Sequence, residues 1–389
     1  MLIITLILLS LTAFQTHLDY KKIHHDAYVF DGHNDAVHRL LEGEDLGLQT
    51  TKGHIDIPRL KTGGVDASFF SVWVPPANKS KSYFNQANSQ IEALLNFAKK
   101  YPASIRVALT ASDLEKIRKE GKIALLISME GAHPLGDSIQ NLDYFYSKGV
   151  RSIMPTWNNS TSWATSAEDE TNTSKKLKFK GLTELGKRFV QRMDELGIII
   201  DVSHAGEKTF WDIIETSKNP IIASHSSVWN IFQHWRNLKD DQIKAIAKTG
   251  GLVAVNFAPY FLDKTFSKKV EAMRKRHDVK IKALKKSWKG SALSREEMIG
   301  RMLKEEYAKI LPTISDLVDH LDYIVKLVGV DYVGLGSDFD GIGVTPKGLD
   351  DVSYYPEITK ELLKRGYSEN DIRKILGGNF LRVIEKVLK

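Results

Sequence analysis

Residues 29–40 read VFDGHNDAVHRL, an apolar run of strand character that breaks off into His33, Asn34 and Asp35. Side chains alternate faces along a strand, so His33 and Asp35 project into one space. An imidazole nitrogen and a carboxylate oxygen sharing a space suit a metal ion. A lone His-x-Asp pair is, however, more often a structural hydrogen bond than a pair of ligands. Catalytic metal sites gather ligands from several elements, so the decision passes to how the other strands end.

Seven further runs have the same shape: ASFFSVWVP from residue 67, KIALLISMEG from 122, VRSIMPTWN from 150, GIIIDVSH from 197, PIIASHSS from 220, GLVAVNFAP from 251 and YVGLGSDFDG from 332. Amphipathic helices lie between several of them, among them LTELGKRFVQRMDELG from 182, KDDQIKAIAKTGG from 239 and ISDLVDHLDYIVKLVG from 314, each stopping at Gly. Near-continuous apolar strands alternating with helices predict a parallel sheet covered on its outer face. Eight such units predict an α/β fold of the (β/α)8 TIM-barrel type, with a doubly wound open sheet as the alternative.

In such a barrel the chemistry sits at the C-terminal ends of the strands. Here those ends supply His33, Asp35, Glu130, His204, His225 and Asp338. Such groups are costly in an apolar barrel mouth unless they are paired or hold a metal. One catalytic zinc takes three protein ligands and keeps a position for water, so this set suits two ions better than one. Glu130 can bridge them, with His33 and Asp35 on one ion and His204 and His225 on the other, and a water or hydroxide between the two completes both shells. Two ions ~3.5–4 Å apart lower the pKa of such a water toward about 7 and polarise a carbonyl, a combination that hydrolyses amides. Asp338 is then placed to carry the water's proton to the leaving amine; the alternative is a sixth ligand or a structural carboxylate. Asp201, three residues before His204, is expected to accept an imidazole N–H.

The 389 residues are 42% hydrophobic and 26% charged, ordinary for a soluble globular protein. The formal charge of +7 does not indicate nucleic acid, because the excess is local: residues 264–309 hold fifteen Lys and Arg against six acids. That stretch belongs to a helix-prone insertion at about 261–311, read as a solvated helical hairpin in preference to a lid or binding surface. The absence of Cys excludes disulfides and thiolate ligands. The opening MLIITLILLSLTAF has the length of a signal-peptide core and is too short to span a bilayer well. Residues 1–16 are therefore read as an export signal cleaved between Ala13 and Thr16, leaving a single catalytic domain over 17–389, periplasmic or extracellular. No stable membrane span is expected unless that segment stays uncleaved as a tether, and a homodimer is left open.

The motifs DGHND (31–35), DIPRL (56–60), SMEGAHPL (128–135), DVSHAG (201–206), ASHSS (223–227), Arg236-Asn237, GLGSDFDG (334–341) and GGNFLRV (377–383) together resemble those of the membrane dipeptidase (renal dipeptidase) family of two-zinc peptidases. They occur in the family's order, from about Val29 to Val383. The resemblance implies two Zn2+ ions held by His33, Asp35, Glu130, His204 and His225, with Asp338 as the catalytic acid/base. It implies hydrolysis of dipeptides, including those with a D-residue on the C-terminal side, and Arg236 as the group that binds their C-terminal carboxylate. A guanidinium fork suits a carboxylate. One departure concerns Trp157, which stands where animal members carry a His that contacts the substrate carbonyl oxygen. Trp157 cannot act as a base, although its indole N–H, or the amides of Asn158 and Asn159, can donate to substrate. The rival activities are an N-acyl amino acid deacylase or a lactonase. A non-catalytic metal-containing binding protein is the rival of another class, and Glu130 and Asp338 argue against it.

Overall fold

Among the described residues nine parallel strands organise the chain: β1 (Phe30–Asn34), β2 (Ala67–Trp73), β3 (Ile105–Val107), β4 (Ile123–Glu130), β5 (Val150–Ile153), β6 (Ile199–Ile200), β7 (Ile222–Ala223), β8 (Leu252–Asn256) and β9 (Val333–Gly336). The computed structural model describes residues 19–76, 82–289 and 292–388, so the export-signal segment lies outside the described residues. One sheet runs β1-β2-β4-β5-β6 and a second runs β7-β8-β9. Parallel bridges Asp201↔Ile222 and Asn34↔Phe339 join the two at both margins, so eight strands close into the expected (β/α)8 barrel.

β3 is an addition that the eight predicted strands did not include. β2 pairs with residues 124–130 of β4 and β3 with residues 123–125, so the two occupy opposite edges. β5 takes the rest of β3's edge, at Ile127–Met129. A three-residue strand on half an edge leaves no run long enough to show a period.

All eight residues of β4 are buried, as expected of a strand covered on both faces. Residues at the strand starts, Phe30, Ala67, Ala124 and Leu252, pack with Phe380 of the C-terminal helix Asn379–Val387, whose ring stacks on Phe30 at 4.4 Å. The barrel is thereby plugged at one end and free for chemistry at the other. The outer helices have strong stops and starts. Glu184–Leu196 begins at Thr183, whose hydroxyl accepts the Gly186 N–H, and ends at Gly197 with φ 75°.

The basic insertion is more than a hairpin. It forms four helices, Phe266–Arg276, Asp278–Ser287, Ala292–Met302 and Lys304–Ala308. Phe266, Val270, Met273, Ile281, Ile299, Leu303 and Tyr307 give it an apolar cluster of its own, against which Val344 packs. Its cationic side chains, among them Lys268, Lys275, Lys280 and Lys285, stay exposed.

His320, fully buried in the helix Ile314–Val328, ties three segments together. Its Nδ1 accepts the Val228 N–H at 3.0 Å and its Nε2–H donates to Leu262 O at 3.2 Å, which requires a neutral ring. Burial holds its pKa down at about 4, and does the same for His24 between Thr359 Oγ1 and Gly63 O. An unfolded His titrates near 6.5, so the unfolded chain binds more protons between those values. The stabilising effect of each neutral ring is complete above about pH 6.5 and is lost as pH falls toward 4, by roughly 3 kcal/mol per ring. Urea unfolding midpoints measured from pH 7 to 4 should fall less steeply for His320→Gln, whose amide does not titrate. Identical slopes in variant and wild type would remove His320 from the account.

Candidate metal centre

Every proposed ligand stands where a strand gives way to its loop. His33 lies in β1, Asp35 just beyond it, Glu130 ends β4, and His204, His225 and Asp338 follow β6, β7 and β9. The last of these turns is sterically special: Asp338 and Asp340 have φ of 59° and 66°, the left-handed region that few non-glycine residues occupy. The surroundings hold it there. The Asp338 N–H donates to His33 O at 3.0 Å, and the buried Asp340 carboxylate accepts the His54 N–H at 2.5 Å and Arg39 Nη1 at 3.1 Å. Burial pushes the Asp340 carboxyl up, but His54 and Arg39 outweigh it and keep the group ionised.

The side chains converge. Glu130 Oε1 lies 2.8 Å from His204 Nε2 and 3.6 Å from His225 Nε2, while Oε2 lies 3.6 Å from His33 Nε2. His33 Nε2 is 3.4 Å from Asp35 Oδ2. The two Nε2 atoms of His204 and His225 are 3.1 Å apart. Ligand atoms of His33, Glu130 and His225 all fall within 4.8 Å of one another, and so do those of His33, Asp35 and Asp338.

Three observations fit this set to a metal. Both ring nitrogens of His33 and the Oδ1 of Asp35 are buried without hydrogen-bond partners. The far nitrogens of the other two imidazoles are occupied: His204 Nδ1 bonds Asn158 Oδ1 at 2.9 Å and His225 Nδ1 bonds Ser224 Oγ at 2.8 Å. Set as donors, these Nδ1–H groups turn both Nε2 lone pairs inward, the usual device for orienting metal-bound imidazoles. Burial would lower the His33 pKa, yet the carboxylates of Asp35 and Glu130 raise it well above the ordinary value, so cation binding must displace a proton.

Asp201 does not play the expected part. Its Oδ1 accepts Ser203 N–H, Ser203 Oγ–H and the Ser224 N–H at 3.0, 2.6 and 3.1 Å, and no imidazole among the described residues bonds it. Ser224, the residue before His225, takes that ring instead.

Above the ligands opens a cavity of about 580 Å³, lined by Asp35, Glu130, His204 and Asp338 on its floor and by Trp73, Trp157, Trp235, Tyr260 and Phe261 on its walls. Arg236, only 3% exposed, reaches this cavity. Its Nη2 donates to His225 O at 3.2 Å, and its Nη1 is buried without a partner. Burial lowers its pKa to about 10, which leaves it charged at neutral pH. Asp338 Oδ2 accepts from Asn256 Nδ2 at 2.9 Å, and burial pushes the carboxyl up to about 7. Trp157 packs on Trp73 with ring centroids 4.9 Å apart. Asn158 also lines the cavity, but its carbonyl oxygen is already engaged by His204. Asn159 turns away, its Nδ2 2.7 Å from His133 Nε2. The wall residues not marked by the sequence include Trp73, Trp235, Tyr260 and Phe261 and two imidazoles, His38 and His234. His38 stands three residues beyond Asp35 in a short helix, where no strand-end pattern marks it.

A closed α/β barrel whose open end gathers three imidazoles and three carboxylates in hydrogen-bonding and ligating range is built as a metallohydrolase. Sequence comparison narrows that class: the membrane dipeptidase family (peptidase family M19) matches residues 18–389, and the chain belongs to it. Dipeptidase 3 of Rattus norvegicus is 30% identical over 373 residues, which are 93% of this chain and 65% of the relative, so the chain spans just under two thirds of that protein. The crystal structure of a metallopeptidase from Rhodobacter sphaeroides, liganded with a phosphinate mimic of the dipeptide L-Ala-D-Ala, is 27% identical with a TM-score of 0.75 and covers 93% of this chain and 99% of its own. The dipeptidase AC, also a metallopeptidase, has the same identity, TM-score and coverage.

Proposed function

We propose that the chain is a dinuclear zinc dipeptidase. The observation that carries this reading is Arg236: a buried guanidinium with one nitrogen unpartnered, in the same cavity as Glu130 and Asp338. A free carboxylate is the natural partner for that nitrogen. His33, Asp35 and Glu130 would hold one ion, and Glu130, His204 and His225 the other. Zinc, when bound, supplies the Lewis acidity that makes water nucleophilic near neutral pH and polarises a carbonyl.

The chain's own groups do the rest. Arg236 fixes the C-terminal carboxylate, so that the one peptide bond of a dipeptide lies over the ligands. Asp338 takes the proton of the attacking water and delivers it to the amine as the C–N bond breaks, a task suited to a carboxyl titrating near 7. Trp157 and the free amide N–H of Asn158 border the substrate. Dipeptides with a C-terminal D-residue belong to the range, in keeping with the mimic held by the R. sphaeroides relative. The opening apolar run supports export to the periplasm or exterior, and among the described residues no helix is long and apolar enough to cross a membrane.

Arg236→Ala should raise KM for dipeptides by about 10–100-fold, the effect of a lost charge-assisted hydrogen bond, while a C-terminally amidated analogue, which never made that bond, is nearly unaffected. Steady-state kinetics with both substrates on both proteins give the double difference. Equal penalties would remove Arg236 as the carboxylate clamp and favour a deacylase or lactonase.

A further inference from the structure

The cavity contains a polar group for which the proposed chemistry has no use. His38 lies in the short helix Val37–Leu41, three residues beyond Asp35, and lines the cavity beside Asp35, Trp73 and Trp157. Its Nε2 is buried and has no hydrogen-bond partner. Trp73 meets the ring edge-on at 5.4 Å, and Trp157 packs behind Trp73. An imidazole nitrogen in an aromatic wall is unfavourable unless something bonds it, and among the described residues nothing does.

Arg236 reads one end of the substrate. What a dipeptide has at the other end, and an acyl amino acid lacks, is a free amino group. The indole N–H of Trp73 is also buried and unpartnered, but an indole only donates and cannot serve an ammonium. A neutral imidazole offers a lone pair. We propose that His38 binds the free amino terminus of the dipeptide, with Nε2 accepting one of its N–H groups, so that the cavity recognises substrate from both ends. The proposal rests on the dipeptidase reading and adds to it the reason an N-acyl amino acid would be a poorer substrate.

The test compares Ala-Ala with N-propionylalanine, which has the same scissile amide and the same carboxylate and lacks only the amine. In the zinc-loaded enzyme His38→Phe should lower kcat/KM for Ala-Ala about tenfold or more, mostly through KM, and change propionylalanine by less than about twofold. His38→Gln retains an acceptor and should recover part of the loss. Inhibition constants of a phosphinate dipeptide mimic with and without its amino group should show the same selectivity in the absence of turnover. Equal losses on both substrates, no loss on either, or depletion of metal in both variants would overturn the proposal. A wild-type enzyme that cleaves propionylalanine but not Ala-Ala would overturn the dipeptidase reading itself, and this proposal with it.

Discussion

Glu130→Gln should strip the centre of metal, from about two zinc equivalents per chain toward none, and hydrolysis should fall with it. Losing an outer hydrogen-bond partner of a ligand typically weakens metal affinity by roughly 10–100-fold, and a carboxylate shared by two ions should cost more. The geometry places Glu130 within reach of both halves of the proposed centre. One oxygen of Glu130 faces His204 and His225 at 2.8 and 3.6 Å, and the other faces His33 at 3.6 Å. Gln keeps one acceptor and replaces the other with an NH2 that repels any cation on its side. Metal analysis after dialysis, paired with dipeptide turnover, decides the matter. A variant that still holds two tight zinc ions would remove Glu130 from the bridging position.

Asp338→Asn should do the reverse, retaining metal while lowering kcat by about 10²–10⁴-fold, the usual worth of a positioned proton carrier. Asn is nearly isosteric, and its carbonyl can still accept from Asn256, so the left-handed turn has no new reason to move. What disappears is a group that titrates near 7. Metal content and single-substrate kinetics on the same preparation separate the roles. Parallel loss of metal and rate would make Asp338 a ligand, which its proximity to His33 and Asp35 permits.

The barrel was legible because its strands are buried on both faces, so that runs such as IALLISME are apolar nearly throughout. The centre was legible for a related reason: each ligand interrupts such a run at its end, where an imidazole or carboxylate has no business in a core. Side chains that reach the cavity from elsewhere left no such mark. His38 sits in a short helix, and only the fold brings it beside the cavity. Asp201 failed in the opposite way. Its nearness to His204 in sequence suggested an imidazole partner, but Ser203 and Ser224 lie closer and take its carboxylate. The insertion was recognisable as helical and basic, but whether its apolar residues meet in a cluster depends on how four helices fold back, which periodicity does not encode.

The barrel closes by two sheets meeting, and the margins where they meet are each fastened by an aspartate. Asp31 accepts both the N–H and the hydroxyl of Ser337 across the β9–β1 margin, at 2.8 Å each. Asp201 accepts the Ser224 N–H across the β6–β7 margin. Site residues straddle the same two lines, His33 and Asp338 at one and His204 and His225 at the other. A cask made in two groups of staves is weakest along its two seams, and an ion held by His204 and His225 would be gripped from both sides of the β6–β7 seam. Loading the centre and tightening the barrel would then be one event, and removing the ion should loosen the wall along that line before it loosens anywhere else.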